Sequence, residues 1–271
     1  MENKYYQIGE LASILNLSRQ MIRYYEECGV ITPIRISSNN YRLYSAMDYF
    51  ALSEAIALSR FNINIKDIYQ LKMTDYTRQV KKHFNEYIRE TEKQIHHEEM
   101  MIKRARQLIE KTETASLNID NIWIKKVPAH MLYPLMSSKD DTYGEVVTPK
   151  NVLAAANKGS NVAFGDGIIE FKEQDEFWWF SADEEYLSYL TLPDCKQARF
   201  IPEEYCLCTV KDMGEIGSFH ADDIREFKKN PALSKYNLSD RLYGFLLARG
   251  EENGVFHRYL EIHIPLQPYN G

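Results

Sequence analysis

Tyr5–Ser45 reads YYQIGELASILNLSRQMIRYYEECGVITPIRISSNNYRLYS, and this stretch decides how the chain is organised. Ile8, Leu11, Ala12 and Leu15 recur at helical spacing and predict a first helix over 8–15. Asn16 suits a left-handed turn, because its short polar side chain tolerates positive φ. Ser18 can accept a backbone N–H at the start of a second helix, Arg19 to Glu27. Gly29 stands where a helix end favours a residue without Cβ. Two short helices about a tight turn make a helix-turn-helix. Two β-prone stretches follow, Ile31–Ile36 and Tyr41–Tyr44, around Ser37-Ser38-Asn39-Asn40, and predict a hairpin. Ser45 with Asp48 caps the next helix, Ala46 to Arg60, and a helix from Ile65 to Lys72 closes the unit.

The remaining length is too great for one small unit of this kind. With 271 residues, the chain has room for two domains and a connector. Its 44% hydrophobic and 27% charged content is that of a soluble globular protein. No apolar run approaches the roughly 20 residues of a membrane helix. The start, Met1-Glu2-Asn3-Lys4, lacks a signal-peptide core, so a cytoplasmic location is expected. The four cysteines are irregularly spaced, which does not suggest a disulfide framework. Net charge is -6, but it is unevenly placed. Residues 1–77 hold 8 basic and 8 acidic side chains, residues 78–113 hold 9 and 7, and residues 114–271 hold 16 and 24. The acidity therefore lies in the C-terminal half, and the first unit need be basic only on the face that meets phosphates.

Residues 75–113 contain no glycine or proline. Val80, Phe84, Tyr87, Thr91, Ile95, Ile102, Ala105 and Ile109 follow steps of mostly three, four and seven, the rhythm of a coiled coil. Such a helix would extend about 50 Å, which favours pairing with a second copy over lying on its own core. The domain expectation is therefore 1–74, a helix-turn-helix unit; 75–113, a dimerisation helix; 114–119, a linker; and 120–271, an α+β domain. The last contains a weak internal repeat. Asn121–Met136 and Cys195–Val210 are each two β-prone runs about a proline, Pro128 or Pro202. Each is followed by an expected helix (Thr148–Ala156, Ala221–Lys229) and two strands (Ala163–Phe171 with Glu176–Ser181, Leu242–Arg249 with Val255–Ile264). Two such halves imply a pseudo-twofold domain with a cleft at the junction.

The second helix presents Ser18, Arg19, Gln20, Arg23 and Tyr24. Gln20 and the arginines suit bidentate contacts to base edges in a major groove. Arg23 and Tyr24 suit phosphates, which fix register without reading sequence. Arg35, Tyr41 and Arg42 sit on the hairpin, placed for the flanking backbone or minor groove. Read one residue at a time, these are ordinary surface side chains; the whole pattern is what is specific. IGELA, LS, RYYEECGVI and YRLYS together resemble the N-terminal domain of the MerR family of transcription regulators, over about 110 residues. The resemblance implies a winged helix-turn-helix joined to an antiparallel coiled coil. It further implies a homodimer on promoter DNA with an over-long spacer, which an effector makes the dimer distort so that RNA polymerase can use it. The match puts Arg19, Arg23, Tyr24, Tyr41 and Arg42 at the family's DNA-contacting positions. Three departures stand out: Asn40 replaces the usual glycine of the wing turn, Met21 a common threonine, and Asn62 a glycine between two helices.

The C-terminal half decides what is sensed. No cysteine lies between Cys28 and Cys195, which argues against the metal sensing of relatives with cysteines at the end of the long helix. Cys206 and Cys208 face one way on an expected strand. They form either a soft-metal pair or two small core residues, and with no histidine or third cysteine nearby in sequence the core reading is preferred. In the last strand, Leu260, Ile262 and Ile264 share one face and Tyr259, Glu261 and His263 the other. A strand glutamate alone is usually just wet. This segment resembles the last strand of GyrI-like effector domains, and the repeat resembles the same fold, pointing to the family's multidrug-sensing branch. The resemblance implies that Glu261 and aromatic walls, with Tyr133, Tyr143, Trp179 and Tyr243 as candidates, bind hydrophobic cationic small molecules. A buried unpaired carboxylate is costly, and a lipophilic cation would offset that cost. Each aromatic face adds about 0.5–2 kcal/mol through cation–π attraction. No cofactor, structural metal, catalytic residue or membrane partner is expected. The alternatives are a GyrI-like small-molecule hydrolase fused to a DNA-binding domain, with Glu261 as general base, and a constitutive DNA-architectural protein.

Overall fold

The computed structural model describes residues 4–36, 41–73, 75–172 and 175–267. Its packing divides into two units, Met1–Glu98 and Glu99–Gly271.

In the first unit, the order is β1 (Tyr5–Gln7), α1 (Ile8–Leu15), α2 (Arg19–Glu27), β2 (Ile34–Arg35), β3 (Arg42–Ser45), α3 (Ala46–Ser59) and α4 (Ile65–Met73). The expected turn chemistry is present. Asn16 ends α1 in the left-handed region (φ 54°, ψ 45°), the Ser18 hydroxyl accepts the Met21 N–H at 3.0 Å, and Ser45 and Asp48 form a reciprocal cap on α3. Gly29, at φ +76°, and Asn62, at φ 60°, take the backbone positions that most side chains avoid. The unit closes over Leu11, Ile22, Tyr25, Tyr44, Leu52 and Ile68. Two expectations are corrected. The first wing strand is only Ile34–Arg35, because Pro33 has no N–H to give a ladder and Ile31 turns into the core. A strand not expected from the sequence, β1, pairs with β3 and puts β3 at the centre of a three-stranded sheet. The wing turn, Ser37–Asn40, lies outside the described residues.

The long helix, α5, runs Tyr76–Leu117, 42 residues, so most of the expected linker at 114–119 is helical. Its early part packs on the first core: Phe61 meets Phe84 and Tyr87 edge-to-face at 4.9 and 5.4 Å. Its end belongs to the second unit, where Arg104 and Ala115 are buried.

The second unit is an antiparallel sheet of nine strands with short helices. The order is β4 (Trp123–Val127), β5 (His130–Lys139), β6 (Thr142–Tyr143), α6 (Lys150–Ala156), β7 (Asp166–Lys172), β8 (Asp175–Asp183), α7 (Glu184–Leu190), β9 (Arg199–Ile201), β10 (Glu204–Asp212), α8 (Ala221–Lys228), β11 (Tyr243–Glu252) and β12 (Val255–Pro265). The strands lie β4-β10-β12-β11-β7-β8-β5-β6, with β9 also on β5. Apart from β6, exchanging β4 with β9, β5 with β10, β7 with β11 and β8 with β12 leaves this pairing unchanged, so the sequence repeat is a topological twofold with its axis between β7 and β11. Each half lends its first strand to the other: β4 pairs with β10, and β9 with β5. One sheet face, with Leu207, Leu260, Ile262 and Ile264, is covered by Phe219 and α8. The other carries Val127, Trp179, Cys206, Cys208, Tyr243 and Phe245.

Candidate functional site

The α2 helix turns Ile22 and Tyr25 inward and leaves Ser18, Arg19, Gln20, Arg23 and Tyr24 exposed. Gly9 makes room for Arg19; a Cβ there would stand 3.0 Å from the guanidinium. The wing arginines are differently placed. Arg42 Nε donates to both Glu26 carboxylate oxygens at 3.0 and 3.2 Å, and Arg35 donates to the same group at 3.3 Å. Glu26 thus ties the wing to α2 and takes part of the positive charge of both arginines. The Tyr41 hydroxyl donates to Gln7 at 3.5 Å. Arg19 and Arg23, by contrast, make no ion pair among the described residues.

In the second unit, β12 puts Leu260, Ile262 and Ile264 into the covered core and Glu261 and His263 on the opposite face. Strand register sets Val210 and Phe245 beside Glu261, and Cys208 and Tyr243 beside His263. Glu261 is 2% exposed. It is also paired: Lys125 Nζ, from β4, donates to its two oxygens at 3.0 and 3.1 Å. This corrects the expectation of an unpaired carboxylate, since a lysine of the chain already stands where the cationic guest was placed. His263 Nε2 lies 3.3 Å from the carboxylate without hydrogen-bond geometry. Glu261, His263, Lys125 and Phe245 line a cavity of about 190 Å³, walled on one side by Gln107, Lys111 and Thr114 of α5. Glu110, Asp166, Asp183 and Glu261 give it four acids against two lysines.

The four expected aromatics are not gathered around Glu261. Tyr243 lines a separate space of about 30 Å³, and its hydroxyl donates to Glu204 at 2.7 Å. Trp179 lines a third, of about 620 Å³, with Phe177 and Glu170, under the Arg199 guanidinium 4.1 Å from its ring centre. Tyr133 is buried against Phe180, and Tyr143 is 45% exposed beside Trp178. The aromatic that does meet Glu261 is Phe245.

Against known proteins, residues 7–44 match the model of the MerR family regulatory protein. The first unit carries a MerR-family helix-turn-helix. The matched residues run from the start of α1 to β3 and include every exposed residue of α2 named above. Two of the solved structures similar to the chain are described by their own names as follows. A MerR-family transcriptional regulator from Bacillus cereus is 16% identical, over 42% of this chain and 86% of that one, with a TM-score of 0.32. The second, an EcmrR–DNA complex solved by cryo-electron microscopy within an EcmrR-RPo assembly, is 15% identical over 97% of this chain and 99% of that one, with a TM-score of 0.37. Both scores are low, and the assignment of the first unit rests on the family match. No curated protein sequence matches the chain.

Electrostatics separate the two surfaces. Burial pushes the Glu261 carboxyl up, but the Lys125 ammonium on both of its oxygens, with the His263 imidazole close by, more than offsets it and holds the group at about 2. Burial pulls His263 below the ordinary histidine value, which leaves the imidazole neutral at pH 7. Burial pushes both Cys206, to about 11, and Cys208 up, so both are thiols. Beside the cavity, Arg104 holds Asp166 through Nη1 and Nη2 at 3.2 and 2.6 Å and donates to the carbonyls of Ala163 and Gly165. Burial pushes Asp166 up, and Lys111 with Arg104 outweighs it. Lys125, Arg104 and Lys111 were not singled out from the sequence. Lys125 left a signal: Trp123, Lys125 and Val127 share one face of β4, so a charge stands among apolar neighbours.

Proposed function

We propose that the protein is a ligand-responsive, DNA-binding transcription regulator that works as a homodimer and activates a promoter with an over-long spacer. The reading is carried by one observation: the stretch that matches the MerR family model presents Arg19, Gln20, Arg23 and Tyr24 outward on α2. Arg19 and Gln20 read base edges, and Arg23 and Tyr24 hold phosphates. A second copy pairs along α5, where Ile88, Ile95, Ile102 and Ile109 fall seven apart and are each more than half exposed (51, 54, 53 and 59%).

The effector is a hydrophobic cation taken up at Glu261. The cavity's excess of acids and its Phe245 wall favour such a guest. At about 190 Å³ it is below the roughly 300–1,000 Å³ of drug-sized sites. Entry therefore requires Lys125, whose side chain is 42% exposed, to swing into water. It also presses on Gln107, Lys111 and Thr114 of α5. A guest that favours one setting of that helix shifts the population of dimer geometries, against a promoter-bending cost on the order of 1–6 kcal/mol. A hydrolase is not favoured, because a carboxylate held at about 2 is a weak general base at neutral pH.

Transcription in vitro from the gene's own upstream region, with RNA polymerase and tetraphenylphosphonium, tests the proposal. The ligand should raise transcript yield with wild-type protein, and Glu261→Gln should blunt the rise. A Glu261→Gln protein that responds at the same ligand concentration refutes the effector assignment.

A further inference from the structure

The sequence leaves Cys208 as a small core residue for want of a nearby histidine. The β10–β12 ladder supplies one: Cys208 stands directly opposite His263, and Glu261 lies two residues along on the same face. Ligating atoms of Cys208, Glu261 and His263 all lie within 4.8 Å of one another, and the three residues are 0, 2 and 2% exposed. The geometry points to a binding site here for a divalent metal ion of the zinc class. It shares Glu261 with the organic-cation reading and stands independently of it.

Three features support the assignment. The donor set is a thiolate, an imidazole and a carboxylate, which suits a borderline-soft ion in tetrahedral coordination with a fourth position open. Two of the three donors, Glu261 and His263, line the 190 Å³ cavity, which has room for a water as fourth ligand. The imidazole also lacks a hydrogen bond. Neither nitrogen of His263 has a hydrogen-bond partner among the described residues, an arrangement that is costly for a buried polar group. Coordination would satisfy one of them. Cys206 is spoken for, with its sulfur 3.4 Å from the Tyr243 hydroxyl, so the C-x-C pair itself is not the ligand set.

The third feature is charge. When the ion enters, the Lys125 ammonium leaves Glu261 for solvent, which its half-exposed side chain permits. The Cys208 S–H bond breaks, its proton passes to water, and a sulfur–metal bond forms. Two positive charges leave and two arrive, so the buried cluster keeps its net charge. A monovalent organic cation would displace Lys125 alone and leave the thiol protonated.

Reduced, metal-free, full-length protein titrated with Co²⁺ alone should develop a thiolate-to-cobalt charge-transfer band that saturates at one ion per chain, with release of a proton into weak buffer. Cys208→Ala should abolish the band and Cys206→Ala should retain it. Absence of the band in wild type, or its persistence in Cys208→Ala, overturns the site. Should Cys208→Ala not fold, two further variants decide. His263→Gln should weaken cobalt binding by about 100-fold or more, and Lys125→Met, which removes the competing ammonium, should tighten it by about tenfold. Unchanged affinity in both overturns the site. Tetraphenylphosphonium keeps the two readings apart. If it quenches tryptophan fluorescence while cobalt gives no band, the metal site falls alone. If cobalt binds and the phosphonium does not, the organic effector falls alone.

Discussion

The two units handle charge in opposite ways. In the first, Arg19 and Arg23 of α2 lie within one helix and stand in water, and Glu26 of the same helix fastens the wing. In the second, the ionisable groups come from distant elements and the acid is enclosed: half-exposed Lys125 from β4, buried Glu261 and His263 from β12, and Arg104 and Lys111 from α5. Exposed cations stay solvated at little cost, whereas an enclosed acid needs a counter-charge at all times. The difference accounts for the place of Lys125 on Glu261.

The contrast breaks most visibly at Arg104. Arg104→Ala leaves Asp166 buried with Lys111 as its remaining counter-charge, and should destabilise the second unit by about 3–5 kcal/mol. Urea unfolding followed by tryptophan fluorescence reads that unit selectively, since Trp123, Trp178 and Trp179 all lie in it. A loss below about 1 kcal/mol would place this pair with ordinary surface bridges. Next comes acid. Glu261 is held at about 2, below its ordinary value, so its stabilising contribution is complete above that ordinary value and disappears as pH falls towards 2. In the same fluorescence assay, Glu261→Gln should flatten this part of the acid-stability profile. The smallest effect belongs to the exposed side: Arg23→Ala should weaken binding to operator and non-operator DNA alike, lower the salt slope by about 1 and leave the melting of either unit unchanged, as read by circular dichroism. A drop in melting temperature would mean that Arg23 holds the fold rather than DNA.

Legibility in the sequence follows the same divide. The first unit was readable because its signals are local: Asn16, Ser18, Gly29 and the Ser45–Asp48 cap each act within a few residues. The exception was β1, whose pairing with β3 spans the whole motif. The halves of the second unit were readable as a repeat about Pro128 and Pro202, and Glu261 was found by resemblance. What surrounds Glu261 was not readable. Tyr243 shares the face of Glu261 but stands two residues along it, because the register sets Phe245 opposite Glu261 and Tyr243 opposite His263 across β11–β12. Trp179 sits beyond the twofold axis on β8. Lys125 and Cys208 reach the site through ladders that close very long loops, and no local pattern encodes such a register.

The lending of first strands between the two halves has a consequence for biosynthesis. β4 emerges from the ribosome long before β10, the strand it must join, and β12 emerges last of all. The helix-turn-helix can close while the second unit is still being made, whereas the sheet, built from contacts between remote segments, closes slowly and only once the final strand is free. A nascent chain thus completes its helix-turn-helix before the enclosure around Glu261 exists.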